Sequence, residues 1–195
     1  MNISNNAIAL IGTSADPPTC GHEALFRGLS TLFPKVITWA SDNPIKSHST
    51  PLEIRHQLLK ALVKNISVPE LEIVQELSSP WTINTIKKAN DHWPKADLVF
   101  VIGSDLVSQI PTWLEVKNLL KKAKIAIAIR EGWPIDENQL KQLEALGGKI
   151  DLLPLRIPKF SSSTFRQKYN ISEIPQAILP LLEKQNLYGV FNKNQ

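Results

Sequence analysis

Ala7-Ile8-Ala9-Leu10-Ile11 runs directly into Gly12-Thr13-Ser14-Ala15-Asp16-Pro17-Pro18-Thr19-Cys20-Gly21-His22. The first five residues are short, apolar and partly β-branched, and a turn rich in Gly and Pro follows them. That combination reads as the buried first strand of a parallel sheet. From His22 to Leu32 the apolar residues fall at Ala24, Leu25, Leu29 and Leu32, a helical spacing. Strand, tight turn and amphipathic helix open a βαβ unit, and the same alternation continues along the chain.

Working outward, Val36–Ala40 reads as a second strand and Leu52–Val63 as the next helix. Leu71–Val74 is a strand, Thr82–His92 a helix and Asp97–Ile102 a strong central strand. Leu114–Lys121 is helical, Ile125–Ile129 a strand, and Glu137–Leu146 a helix stopped by Gly147-Gly148. Ile150–Leu155 is the last strand. Helical stretches close the chain at Ser163–Tyr169 and Ile174–Asn186, with Pro180 expected to kink or shorten the second. The alternation predicts an α/β fold, a Rossmann-like doubly wound parallel sheet with right-handed crossovers. No repeat, low-complexity tract or linker divides it, so residues 1–195 are read as one domain. In such a sheet ligands bind beyond the carboxyl ends of the strands. The segments that follow Ile11, Ala40, Val74, Ile102, Ile129 and Leu155 therefore carry the search for a site.

Composition narrows the function classes. With 195 residues the chain is long enough for a sizeable core. Hydrophobic content of 43% and charged content of 21% are ordinary globular usage, which excludes disorder, collagen and coiled coil. The single Cys20 rules out an internal disulfide and fits a reducing compartment. Met1 to Asn6 lacks the basic-then-apolar layout of a secretory signal, and no apolar run nears the roughly 18 residues of a membrane helix. The expectation is a cytoplasmic protein with no membrane and no nucleic-acid partner; an oligomer stays open. A formal charge of +4 suits an anionic ligand, although lysines that merely solvate a surface give the same total.

Two post-strand segments carry chemistry. In the first, Gly12 permits a tight exit from the strand and Pro17-Pro18 stiffens the turn. Gly21, without a Cβ, lets a base or phosphate approach the backbone. His22 begins a helix, where free N–H groups and the dipole favour an anion. The second is Phe160-Ser161-Ser162-Ser163-Thr164-Phe165-Arg166. An ordinary helix cap needs only one of these serines. The surplus hydroxyls and an arginine one turn in point to a phosphate cradle. Roughly 140 residues separate the two segments, yet both follow strands of one sheet.

Together they resemble the nucleotidylyltransferase superfamily. Gly12…Asp16-Pro17-Pro18-Thr19-Cys20-Gly21-His22 is similar to its (H/T)xGH signature, and Phe160–Arg166 to its ISSTx[IV]R signature, in register on Arg166. Other segments resemble the bacterial nicotinate-nucleotide adenylyltransferases. Ile102-Gly103-Ser104-Asp105 with Pro111-Thr112-Trp113 is similar to GxD…PTW, and Ser79-Pro80-Trp81-Thr82-Ile83-Asn84-Thr85 to SYTxxT. Ser41-Asp42-Asn43-Pro44-Ile45-Lys46 with Arg55 resembles a PPHK loop and its helix, Arg130-Glu131-Gly132 an RPG turn, and Ile174-Pro175…Leu187-Tyr188 the C-terminal helix. The chain departs at Thr13 (a second glycine in the pattern), Ala15 (an aromatic), Thr19 and Ile45 (histidines) and Trp81 (a tyrosine).

The resemblance implies a nucleotidylyltransferase-type fold and a reaction that joins ATP and nicotinate mononucleotide, releasing pyrophosphate. It makes His22, Thr19 and Arg166 the catalytic set. Gly12, Thr13, Ser14, Gly21, His22, Gly103, Asp105, Ser161, Ser162, Ser163 and Arg166 would bind ATP. Lys46, Trp81, Thr82, Thr85, Trp113 and Arg130 would bind the acceptor. Mg²⁺ would ride mainly on the ATP phosphates with no dedicated protein ligands, Asp16 and Asp105 being candidates for outer contacts, with a place at a helix N-terminus the competing role for Asp105. Thr19 can donate a hydrogen bond but carries no charge. Trp39, Trp93 and Trp133 read as ordinary half-buried aromatics. Transfer to nicotinamide mononucleotide or phosphopantetheine, and a nucleotide-binding sensor without catalysis, remain alternatives.

Overall fold

The computed structural model describes residues 3–44 and 46–191. Ile45, the departure inside the lysine loop, lies outside the described residues. Six strands form one parallel sheet: β1 (Ala7–Thr13), β2 (Lys35–Ala40), β3 (Leu71–Ile73), β4 (Asp97–Gly103), β5 (Lys124–Arg130) and β6 (Ile150–Ile157). Their spatial order is β3-β2-β1-β4-β5-β6. β1 is parallel to β2 on one side, with Leu10 opposite Ile37, and to β4 on the other, with Leu10 opposite Phe100. The strand order reverses between β1 and β4, and a crevice opens at such a switch point.

Because both faces of the sheet are covered, the central strands are apolar throughout instead of alternating with polar residues. Ala7, Ala9 and Ile11 join Val36, Val99, Val101 and Ala126 in one core layer. Against it pack Phe26 and Leu29 of α1 (Cys20–Leu32) and Leu58, Leu59 and Leu62 of α2 (Leu52–Ile66). Ile8, Leu10, Ile37, Phe100, Ile102 and Ile125 form the opposite layer. It is covered by Ile83 and Ile86 of α3 (Thr82–His92), Leu119 of α4 (Val116–Lys122) and Leu143 of α5 (Glu137–Ala145). Each fully buried Leu or Ile contributes about 1.5–3 kcal/mol, so these two layers dominate the stability.

Local chemistry sets the ends of the helices. Asp136 caps α5 by accepting the Asn138 N–H at 2.8 Å, and α5 stops where the Gly148 N–H closes on the Leu143 carbonyl at 3.0 Å. α6 (Ser162–Lys168) starts at Ser161, whose side chain accepts the Thr164 N–H at 3.1 Å.

Two regions differ from the sequence expectation. A 3-10 helix spans Ser104–Thr112, where no helix is expected from apolar spacing, and α4 begins only at Val116. Pro111 cannot continue an α-helix, and Glu115 turns left-handed with φ 51°, which separates the two pieces. At the C-terminus the single helix expected over 174–186 is instead a 3-10 turn at Gln176–Ile178 followed by α7 (Leu179–Lys184). Pro175 and Pro180 lack the N–H groups that a continuous helix would need. Among the described residues no helix is long and apolar enough to cross a membrane.

Candidate active site

A cleft of about 440 Å³ opens where β1 and β4 end, within the range of small-ligand sites. Gly12, Thr13 and Ser14 line it from the exit of β1, Gly103 and Asp105 from the exit of β4, and Arg130 from the end of β5. His22 of α1 and Ser161, Ser162, Ser163 and Arg166 of the α6 segment face the same cavity. Lys46, Thr82, Thr85 and Trp113 complete the sequence-derived residues found there. Thr19, Gly21 and Trp81 do not line it.

The two signature segments are stitched to each other directly. The Ser162 hydroxyl donates to the Pro17 carbonyl at 2.8 Å, and Arg166 Nη1 donates to the Asp16 carbonyl at 2.6 Å. Thr19 Oγ1 donates to the Phe160 carbonyl at 3.3 Å. At Gly21 a Cβ would stand 2.8 Å from that same carbonyl, so only glycine lets α1 approach. This corrects the expectation for Gly21: the group that comes close to its backbone is Phe160 of the chain itself, not a base or phosphate. Thr19 is corrected as well. It is 0% exposed and lies behind His22, out of reach of a ligand in the cleft.

His22 occupies the third position of α1. Its Nδ1 accepts the Thr19 backbone N–H at 3.0 Å, the return half of a capping box in which a glutamate or glutamine usually serves. An Nδ1 that accepts a backbone N–H carries no proton, so the neutral ring bears its hydrogen on Nε2. Burial, then the positive charges of Arg130 and Lys46, push the His22 pKa down to about 3. The side chain is thus a neutral hydrogen-bond donor.

Cations surround it. Arg130 Nη1 pairs with Asp105 Oδ2 at 3.1 Å. Asp105 Oδ1, Arg130 Nε and Ser14 Oγ are buried without a hydrogen-bond partner among the described residues, and all three residues line the cleft. Lys46 stands on the exposed loop bordering it; burial lowers its pKa, Asp105 opposes this, and Arg130 and Arg166 lower it further. One carboxylate among three cations and a histidine donor suits a polyanion.

The loop that carries Lys46 is anchored by Arg55 of α2, which is 1% exposed. Arg55 donates to the carbonyls of Thr50 at 3.1 Å, Ser14 at 2.8 Å and Ser41 at 2.7 Å, joining the exits of β1 and β2. Asp16, a candidate for outer contacts to nucleotide or metal, is instead 0% exposed. Its carboxylate accepts the Ser49 N–H at 2.6 Å and the Thr50 hydroxyl at 2.9 Å, which makes it an internal anchor.

The other wall is aromatic. Trp113 meets Phe100 edge-on, with ring centroids 6.0 Å apart at 89°, and Phe100 lies 6.4 Å from Trp39. Trp39, read from sequence as an ordinary aromatic, lines the cleft and packs against Gly12, where a Cβ would come within 2.8 Å of the indole. Its place near the carboxyl end of β2 is the sequence signal for this role. Thr85 Oγ1 donates to the Leu77 carbonyl at 3.0 Å and is committed to holding the turn. Thr82 opens α3, whose first N–H groups have no side-chain cap. Trp81 departs from expectation: it is 42% exposed and outside the cavity, because it sits in extended conformation just ahead of the helix.

Among the described residues no group of three or more His, Cys, Asp or Glu could hold a metal ion. Asp105 is the one carboxylate among the described residues that line the cleft. With Oδ2 on Arg130 and Oδ1 unpartnered, it fits an ion carried on phosphate oxygens, since magnesium often keeps few protein ligands.

The cytidylyltransferase-like family matches residues 10–168, four-fifths of the chain. A "Probable nicotinate-nucleotide adenylyltransferase" of Synechocystis sp. is 34% identical over 196 residues, covering 93% of this chain and 98% of the relative. One of the same name from Aliarcobacter butzleri is 31% identical, covering 88% and 92%. The solved structure of the Plasmodium falciparum nicotinic acid mononucleotide adenylyltransferase complexed with NaAD superposes with a TM-score of 0.80 at 25% identity, over 96% of this chain and 100% of that one. The chain belongs to the cytidylyltransferase-like family and, within it, to the nicotinate-nucleotide adenylyltransferases.

Proposed function

We propose that the protein transfers the adenylyl group of ATP to nicotinate mononucleotide, giving nicotinate adenine dinucleotide and pyrophosphate. One observation carries the reading. A neutral His22 donor and the cations Lys46, Arg130 and Arg166 face a single cleft at the switch point of the sheet, opposite an aromatic wall. Relatives bearing this activity in their names, and a structural relative complexed with NaAD, support the choice of substrates.

The chemistry explains the absence of a base–nucleophile pair. The attacking group is a phosphate oxygen, and a phosphate monoester, with a second pKa near 6, is mostly ionised at neutral pH. The protein supplies in-line positioning and neutralisation of crowded charge. His22 Nε2–H donates to the α-phosphate as its charge changes. Ser163 and Arg166 hold the departing pyrophosphate, and Lys46 neutralises charge between the two substrates. Magnesium carried on the ATP phosphates would screen their repulsion when bound. Trp113 offers a face to the pyridine ring, and the uncapped N–H groups near Thr82 favour a carboxylate over an amide. Dependence on ATP and the lone Cys20 suit the cytoplasm.

The test is incubation with ATP, Mg²⁺ and nicotinate mononucleotide, with nicotinamide mononucleotide and phosphopantetheine as competing acceptors. Pyrophosphate and the dinucleotide form, with kcat/KM highest for the acid nucleotide. No product at saturating substrate, or a preference for phosphopantetheine, overturns the assignment.

A further inference from the structure

Behind the cleft a fully buried carboxylate joins three parts of the chain that are far apart in sequence. Asp16 Oδ1 accepts the Tyr188 hydroxyl at 2.7 Å and the Thr50 hydroxyl at 2.9 Å. Its other oxygen accepts the Ser49 N–H at 2.6 Å and lies 3.4 Å from Arg166 Nη1, the same nitrogen that donates to the Asp16 carbonyl. The Tyr188 ring also meets Phe165, the neighbour of Arg166, edge-on at 6.0 Å. The C-terminal segment therefore touches the hydrogen-bond acceptor of Arg166 and packs on the helix that carries it. Through Ser49 and Thr50 it also reaches the loop that carries Lys46.

We propose that Tyr188 is a positioning residue for adenylyl transfer, a C-terminal latch that orients Arg166 and the Lys46 loop toward the ATP phosphates through Asp16. This rests on the reading of Arg166 as a phosphate ligand. The physical argument is one of pre-organisation. A guanidinium on a long side chain is fixed only by its partners, and Asp16 holds its own orientation through the donors arranged on its oxygens. Removing the tyrosine hydroxyl leaves one acceptor site of a buried carboxylate unfilled. That frees Asp16 to draw Arg166 away from the cleft, and weaker ATP binding is the cost.

The experiment is a cycle of Tyr188→Phe, Arg166→Ala and the double variant, with KM for ATP, kcat and Tm measured for each. Tyr188→Phe keeps the ring on Phe165 and is expected to raise KM for ATP about tenfold, the worth of one hydrogen bond to a charged group, with little change in kcat. In the Arg166→Ala background the same change adds less than about twofold, because its effect runs through the missing guanidinium. Asp16→Asn, read in the same way, raises KM for ATP in the same direction. If Tyr188→Phe lowers Tm but leaves KM unchanged, or acts equally with and without Arg166, the latch is refuted while the site reading stands. An Arg166→Ala enzyme with unchanged KM for ATP overturns the site reading and the latch together.

Discussion

His22 Nδ1 accepts the backbone N–H of Thr19 at 3.0 Å, and the Thr19 hydroxyl, 2.9 Å from the same nitrogen, donates to the Phe160 carbonyl. The first signature segment thus fixes the tautomer of its own histidine and ties that histidine to the second segment. Thr19 stands where the family pattern allows histidine or threonine. Here it works behind the imidazole, holding Nε2–H toward the cleft.

Replacing His22 by Ala removes that donor. A donor aimed at charge developing in a transition state is worth about 10²–10³ in rate, so kcat is expected to fall by that factor while the fold persists. Full activity in the variant, measured by pyrophosphate release, would refute the role given to His22.

The depressed pKa of His22 has a stability consequence with a definite sign. The unfolded histidine titrates near 6.5 and the folded one at about 3, so between these values the unfolded chain binds the extra proton. Stability contributed by keeping His22 neutral is whole above pH 6.5 and is lost as pH falls toward 3. His22→Gln cannot gain this proton. Urea midpoints followed from pH 7 to pH 4 should therefore decline less steeply in the variant; parallel slopes would contradict an imidazole held neutral by the fold.

The parallel sheet and the location of the cleft were legible in the sequence because the central strands, buried on both faces, are continuous apolar runs that end at turns; the spatial order of the strands was not, since no local pattern reports it. What was not legible concerns partners distant in sequence. Gly21 looked open to a ligand, but the Phe160 carbonyl fills that space, and no local pattern reports which backbone atom arrives there. Asp16 sits inside the signature, yet its partners Ser49, Thr50 and Tyr188 come from a loop and the C-terminal segment. Of the hydroxyls at 161–163, apolar periodicity says nothing. Ser161 caps α6, and Ser162 is already spent on Pro17, so fewer are free for phosphate than their number suggests.

Gly21→Ala tests the close approach of the two segments. The added Cβ would lie 2.8 Å from the Phe160 carbonyl, a backbone atom that cannot swing aside, so α1 and the α6 segment must separate by several tenths of an ångström. A displacement of that order between groups proposed to hold one phosphate chain is expected to lower kcat/KM by about 10-fold or more. The far-ultraviolet circular dichroism should stay that of the wild type. Unchanged kcat/KM would mean that the spacing of the segments is not what sets activity.

Thr19→His and Thr19→Ser separate positioning from phosphate contact. The Thr19 site is fully buried and tightly enclosed, so an imidazole there must displace neighbours and bury an extra polar nitrogen. Overpacking of this kind costs about 1–3 kcal/mol, and each kcal/mol lowers Tm by about 2–4 °C in a chain of this size. The histidine variant is therefore expected to melt several degrees lower and to gain no activity, although histidine is the commoner residue of the bacterial pattern. Thr19→Ser keeps the hydroxyl that reaches the Phe160 carbonyl and should retain kcat within about twofold, since the lost methyl touches no reacting group. A histidine variant with unchanged Tm and raised kcat would show that the side chain at this position can reach the cleft, and the positioning role of Thr19 would fall.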